Sequence, residues 1–207
     1  MYGNDTLELL RWVILSNKSQ LIHLPDELKL KSIGFQTHFM TLLAAQEQEE
    51  AFQKKKRKNG NKSLFMWHGS GGDRWHSIIR NGLMNMSKKD CIHGASYGPG
   101  IYLASDYTTS LGYAQPVSNL YKNSIFGNTL TCLALWEVVP VGQYKDFGGV
   151  ATLQDEEALI VRFVFPICND AYYNRYNSNS GCMKINVNEI PKLDDVLSYL
   201  GKKIQIK

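Results

Sequence analysis

Three short runs hold the residues that could do chemistry. Phe65-Met-Trp-His-Gly-Ser70 is an apolar run that ends abruptly in an imidazole, a glycine and a hydroxyl. Gly98-Pro-Gly-Ile-Tyr-Leu103 is a glycine-flanked bend that opens into a short apolar run carrying Tyr102. Ser110 and Tyr113 follow at an i, i+3 spacing, which puts them on one face of a helix. A strand ending in His-Gly holds one imidazole at a fixed place beside backbone without a Cβ, so a ligand can approach its N–H and C=O closely. Two such ends read as two walls of one pocket. Either run alone says little, because a lone histidine after a strand is more often an ordinary polar residue than a catalytic one.

Taken together the residue types suit one ligand. Tyr102 and Tyr113, from adjacent elements, can sandwich a flat heteroaromatic ring. Ser110 can donate to an amide on that ring, the Gly69 backbone can pair with the same amide, and His68 can bind a sugar hydroxyl. These parts suit a nicotinamide riboside. They do not make the dinucleotide fingerprint of hydride-transfer enzymes: Gly98-Pro-Gly lacks the third glycine and precedes a strand, not a helix. The plainer alternative is that both tyrosines pack in the core and Ser110 is a cap or surface residue.

These residues need elements to position them. Residues 63–67 read as a strand delivering His68, and residues 101–103 as a second strand. Asp73 is placed to cap a helix over 74–80 that stops at Asn81-Gly82 and has Trp75, Ile78 and Ile79 on its apolar face. Asp106 is placed to cap a helix over 107–114, which carries Ser110 and Tyr113. Between the two walls lies a long loop, 85–98, with Lys88, Lys89, Asp90 and His93; a loop of that length is more often a functional lid than a simple connection.

Upstream, residues 6–16 read as a helix capped by Asp5 or Thr6 that runs into a strand at 12–15, with a further strand at 20–24 closed by Pro25. Residues 38–56 have the composition of a helix, with Met40, Leu43 and Phe52 on one face and Glu47, Glu49 and Glu50 facing water. Lys54-Lys-Lys-Arg-Lys58 reads as a solvated helix end, its cations set against the helix dipole and Asn59-Gly60 as the stop. As an import signal or nucleic-acid contact it lacks interleaved aromatic residues. Downstream, 115–128 reads as a polar loop, and strands are expected at 129–139, 150–153 and 159–167, with a glycine turn over 145–149 and an acidic turn at 155–157. Residues 169–181 are poor in aliphatics, and a short helix over 191–200 is ended by Gly201. Strands and helices mix without βαβ regularity, which argues an α+β fold. The expected division is a helical support segment, 1–60, and a catalytic domain, 61–207.

At 207 residues and 43% hydrophobic the chain can bury one substantial core, and a net charge of +4 tolerates a polyanion without calling for one. No apolar run approaches membrane-spanning length, and the N-terminus shows no signal peptide. Cys91, Cys132, Cys168 and Cys182 have no C-x-x-C spacing, so reduced thiols in a cytoplasmic or nuclear compartment are expected, and no metal site. The expected partners are proteins, not nucleic acid or membrane, and the expected state is a monomer.

The ordered spacing of the three runs resembles the catalytic domain of the diphtheria-toxin-like ADP-ribosyltransferases, the poly(ADP-ribose) polymerase family. Arg74-Trp-His-Ser-Ile-Ile-Arg-Asn-Gly-Leu83 and the Ile-Tyr-Leu form of the second run are most similar to its small mono-ADP-ribosylating branch. The resemblance covers roughly residues 64–167. It implies NAD⁺ held as co-substrate in a cleft between two small antiparallel or mixed sheets with flanking helices. His68 would hold the adenosine ribose, Gly69 the nicotinamide carboxamide through its main chain, and Ser110 the same amide. Tyr113 would stack on the nicotinamide ring with Tyr102 opposite, Ser70 would line the adenosine side, and the 85–98 loop would stand as the donor loop.

The family's polymerising members begin a third strand with a catalytic glutamate. Matching Arg162-Phe-Val-Phe165 to the closing strand puts Val150 at that position. Valine cannot accept a hydrogen bond or polarise an attacking hydroxyl. Glu156 and Glu157 are too far along the strand pattern to replace it. Arg74 stands where many relatives carry an asparagine facing the adenosine. The resemblance therefore implies transfer of one ADP-ribose to a protein side chain, the protein itself included, without polymer growth. The competing readings are an inactive module that holds NAD⁺ or ADP-ribose, and an NAD⁺-dependent RNA 2′-phosphotransferase of the same wider fold, for which Lys54–Lys58 would meet the RNA phosphate.

Overall fold

The two longest apolar runs pair with each other. Strand β6 (Thr129–Val138) lies antiparallel to β9 (Leu159–Cys168) over ten residues apiece, from Leu130 opposite Cys168 to Val138 opposite Leu159. β6 is buried along almost its whole length, as a strand covered on both faces must be. A computed structural model describes residues 4–16, 18–88, 96–118, 126, 129–168 and 185–205. The 169–181 loop, residues 89–95 of the expected lid and most of 119–128 lie outside the described residues, as do Cys91 and Cys182.

The other strands extend this pair on both sides. They are β1 (Gln20–His23), β2 (Phe39–Leu43), β3 (Leu64–Gly69), β4 (Ile101–Ala104), β7 (Lys145–Asp146) and β8 (Val150–Leu153), in the order β1-β2-β9-β6-β3-β4-β8-β7. A two-residue strand, β5 (Val117–Ser118), pairs with the start of β6. All neighbouring pairs are antiparallel, and helices cover both faces, which is the α+β architecture expected. Where two small sheets were expected, the hydrogen-bonded path is continuous. Its halves meet at one rung, Trp67 opposite Ala104.

Two apolar layers flank the sheet. On one face, helices α2 (Gln46–Lys58) and α3 (Trp75–Asn81) bring Phe52, Trp75 and Ile78 against Met66, Cys132, Ala134 and Trp136. On the other, residues 24–35, helix α4 (Tyr107–Leu111) and helix α5 (Leu193–Gln205) bring Leu24, Leu30, Phe35, Tyr107, Leu111 and Val196 against Trp67, Leu133, Leu135, Phe163 and Phe165. Alternate residues of β3 thus serve opposite layers. Within the second layer Trp67 meets Phe165 at 5.3 Å and Tyr107 at 5.6 Å between ring centroids, so β3 is clamped beside α4.

Several boundaries differ from the sequence expectation, each for a tertiary reason. Residues 12–15 are not a strand: one helix, α1 (Asn4–Ser16), runs through them. A strand needs a partner edge, whereas a helix closes its own hydrogen bonds. The helix expected from residue 38 begins only at Gln46, because Phe39 and Met40 pair with Val164 and Phe163 of β9 and are drawn into strand β2. Leu43, expected on the buried face, is exposed. Asp73 does not cap α3; it lies in a 3-10 turn, Gly72–Arg74, that precedes the helix. Gly82 does end α3, with φ of 81°. Helix α4 ends at Leu111, not Ala114, and α5 continues through exposed Gly201 to Gln205. No helix among the described residues is long and apolar enough to cross a membrane.

Candidate active site

The site forms where β3 and β4 part. β3 pairs with β6 at all six residues but meets β4 only at Trp67–Ala104. In continued register His68 would face Leu103 and Gly69 would face Tyr102; the ladder stops instead. The His68 imidazole fills the place of the missing rung, its Nδ1 lying 2.9 Å from the Tyr102 carbonyl. A carbonyl can only accept, so Nδ1 carries the proton and Nε2 keeps its lone pair. Burial lowers the His68 pKa below the ordinary imidazole value, against the opposing pull of the Tyr102 carbonyl. The ring is therefore neutral at pH 7. Trp75 stands edge-on to it at 6.5 Å, and the Trp75 indole N–H donates to the Ser70 carbonyl at 3.1 Å. One α3 side chain thus braces both ends of His68-Gly-Ser70.

Gly69 must also be a glycine for a packing reason. A Cβ there would sit 1.9 Å from the Ser110 carbonyl oxygen, which presses directly on β3. The glycine lets α4 close on the strand. That contact sets Ser110 beside Gly69, beyond the last β3–β4 rung. The Ser110 side chain is buried. Tyr113 lies past the end of α4, and its N–H donates to the Ser110 carbonyl at 3.1 Å. Ser110 and Tyr113 are therefore joined by a tight turn, not a continuing helix, and the Tyr113 ring is 67% exposed. Asp106 caps α4 as expected: its carboxylate accepts from the Thr109 N–H and from the Thr108 and Thr109 hydroxyls. Burial pushes Asp106 up, but those hydrogen bonds outweigh it and hold the carboxyl below its usual range.

Tyr102 is held at both ends. Its carbonyl takes the His68 proton, and its hydroxyl donates to the Gly98 carbonyl at 2.7 Å while accepting the Tyr97 N–H at 3.0 Å. The hydroxyl is spent on the glycine bend, so the ring offers its face. Gly98 and Gly100 both have positive φ, which makes the bend a glycine bend by necessity. Its far end is tied down where Ser87 Oγ accepts the Gly100 N–H at 2.6 Å.

Val150 opens β8 opposite Ala104, and Thr152 lies opposite Tyr102, so Val150 and Tyr102 share one face of the β4–β8 pair. Neither nearby glutamate can stand in for a third-strand carboxylate. Glu156 accepts the Asn85 N–H at 2.6 Å, and Glu157 pairs with Lys55 at 3.2 Å. Arg74 is exposed at the start of α3. Among the described residues no cluster of three or more His, Cys, Asp or Glu could hold a metal.

The family model for the poly(ADP-ribose) polymerase (PARP) catalytic domain matches residues 30–139, more than half of the chain. The chain belongs to the PARP catalytic-domain family. That family uses NAD⁺ as co-substrate. Human protein mono-ADP-ribosyltransferase PARP8 is 31% identical over 183 residues, covering 76% of this chain and 21% of the relative. Mouse protein mono-ADP-ribosyltransferase PARP16 is 36% identical over 76 residues, 37% of this chain and 22% of the relative. The chain thus spans about a fifth of the length of these relatives. A tankyrase of Caenorhabditis elegans, named a poly [ADP-ribose] polymerase, is 36% identical over 58 residues, 28% of this chain and 2% of the relative.

One feature of this PARP domain escaped the sequence reading. Glu137 is buried in β6, where it accepts from Lys56, Ser63 and Arg162 at 2.5, 2.7 and 2.8 Å. Arg162 also grips Glu49 with two bonds, at 2.7 and 3.0 Å, and lies over the Phe52 ring. The β6–β9 register skips Arg162, a bulge that turns it toward α2. Glu49, expected to face water, is thus an ion-pair partner. Lys55 and Lys56 of the basic run are likewise committed to Asp155 and Glu137. The signal was present as one lone charge in each of two apolar strands, since buried charges are paired.

Proposed function

We propose that this domain transfers a single ADP-ribose from NAD⁺ to a side chain of an acceptor protein, or of the protein itself, and releases nicotinamide. The observation that carries this reading is the His68–Tyr102 bond: it leaves the His68 Nε2 lone pair open where the two strands part. The mono-ADP-ribosyltransferase names of PARP8 and PARP16 support it. The residues present fit NAD⁺. Nε2 would accept from an adenosine ribose hydroxyl, the Ser110 hydroxyl and the Gly69 main chain would take the carboxamide, and the Tyr102 and Tyr113 rings would flank the nicotinamide. Ser70 lines the adenosine side. In the reaction the bond from ribose C1′ to the nicotinamide nitrogen breaks, its electron pair leaves with nicotinamide, and an acceptor lone pair bonds to C1′. Holding both riboses and the amide exposes C1′ to that attack.

Val150 supplies no base to activate a ribose hydroxyl, so the acceptor must bring its own negative charge, as a carboxylate or thiolate does. Incubation with labelled NAD⁺ followed by gel electrophoresis should give discrete single additions; a ladder or smear would sink the single-transfer claim. Val150 also favours a second reading, a module that holds NAD⁺ without turning it over. Saturable NAD⁺ binding without nicotinamide release above background would establish that reading instead.

A further inference from the structure

The face of the β4–β8 pair that carries Val150 also carries a run of aromatic contacts outside the nucleotide-holding set. Tyr97 donates its N–H to the Tyr102 hydroxyl, and its ring lies 6.4 Å from the Tyr102 ring. On its other side the Tyr97 ring meets Phe147 at 4.7 Å with the planes tilted by 32°. Phe147 in turn donates its N–H to the Val150 carbonyl at 2.8 Å, closing the Gly148-Gly149 turn that leads into β8. Both glycines have positive φ, and Asp146 Oδ1 accepts the Gly148 N–H, so the turn is fixed from within. The contacts therefore run Tyr102, Tyr97, Phe147, Val150. They join the glycine bend on one side of the site to the third strand on the other. Tyr97 and Phe147 are 44% and 41% exposed, each with part of its ring bare.

We infer that Tyr97 and Phe147, with Val150, form an apolar screen that keeps water from ribose C1′ until an acceptor covers it, so that they set the partition between transfer and hydrolysis. This rests on the transferase reading. Once the bond to nicotinamide breaks, the electron-poor C1′ can be taken by an acceptor lone pair or by water. In the second case a water oxygen bonds to C1′, its proton passes to solvent, and free ADP-ribose results. Without a carboxylate at position 150 to favour one nucleophile, exclusion of water is what protects the transfer. Valine and phenylalanine side chains present no hydrogen-bonding group to a water there, and tyrosine presents only its hydroxyl. The bare parts of the rings are what an arriving polypeptide would cover.

The test measures three products from the same reaction: nicotinamide, free ADP-ribose and protein-bound ADP-ribose. Phe147→Ala should raise the ratio of free to bound ADP-ribose severalfold, and Tyr97→Leu should do the same. Phe147→Tyr keeps the ring and should keep the wild-type ratio. If Phe147→Ala and Tyr97→Leu release nicotinamide yet keep the wild-type ratio, the screen is refuted and the transferase reading stands. A wild-type protein that releases no nicotinamide and labels no acceptor overturns both.

Discussion

Two histidines, each bonded to a main-chain carbonyl, show how differently this molecule uses one side chain. His38 is fully buried, and both ring nitrogens are spent: Nε2–H donates to the Phe35 carbonyl at 2.8 Å, and Nδ1 accepts the Leu30 N–H at 3.3 Å. It also packs edge-on to Phe165 at 5.0 Å. His68 spends one nitrogen on Tyr102 and keeps the other. The first is a closed polar unit that fastens residues 30–38 to the core. The second is open, and it sits where a strand ladder has been given up. A satisfied histidine serves the fold; a histidine with one nitrogen spare at a break in the sheet is free to take a ligand's hydrogen bond.

The comparison can be broken in stages. The largest effect expected is loss of function with little loss of fold. His68→Ala should lower kcat/KM for NAD⁺ by about 100-fold or more, as loss of a positioning contact to the substrate does. Its loss of stability should be smaller than that of His38→Ala, because His68 is half-buried and gives up one main-chain hydrogen bond, not two; an equal or larger loss would contradict the assignment. His38→Ala should do the reverse. It opens a cavity and strands the Leu30 N–H and Phe35 C=O, at a cost of about 2–4 kcal/mol in denaturant unfolding. Where the variant remains folded, NAD⁺ turnover should persist.

A smaller effect separates the two by pH. Burial holds the His38 pKa down at about 4, against an ordinary value of 6.5. Above pH 6.5 the ring is neutral in both states and its contribution to stability is complete. As pH falls, the unfolded chain takes the proton first, so stability declines between about pH 6.5 and 4, by up to about 3 kcal/mol. Urea titrations across that window should show the decline in the wild type and a shallower one in His38→Gln. The smallest effect belongs to the basic run. Lys54 is exposed, and Lys54→Ala should change stability by less than about 0.5 kcal/mol, whereas Lys56→Ala, which removes a partner of buried Glu137, should cost more.

Much of the site was legible because its signals are local. An apolar run ending in His-Gly, a bend with Gly98 and Gly100, and an Asp106 cap each follow from a few neighbouring residues, and β8 begins at Val150 as read. What stayed hidden depends on partners far along the chain. Phe39 and Met40 read as helical until β9, more than a hundred residues away, claims them as a strand. Nothing near Gly69 announces that its missing side chain makes room for the Ser110 carbonyl, and nothing near Phe147 announces Tyr97.

Residue types and their order were thus enough to read an α+β domain that resembles the PARP catalytic domain, with valine, not an acid, at the start of the third strand. Propensity, capping and glycine geometry act over a few residues, and the sequence carries them directly. Only the tertiary structure decided that β3 and β4 meet at a single rung, that His68 takes the place of the next one, and that its Nε2 is left open. Strand pairing and burial depend on which distant segments share an edge, and those contacts have no local signature.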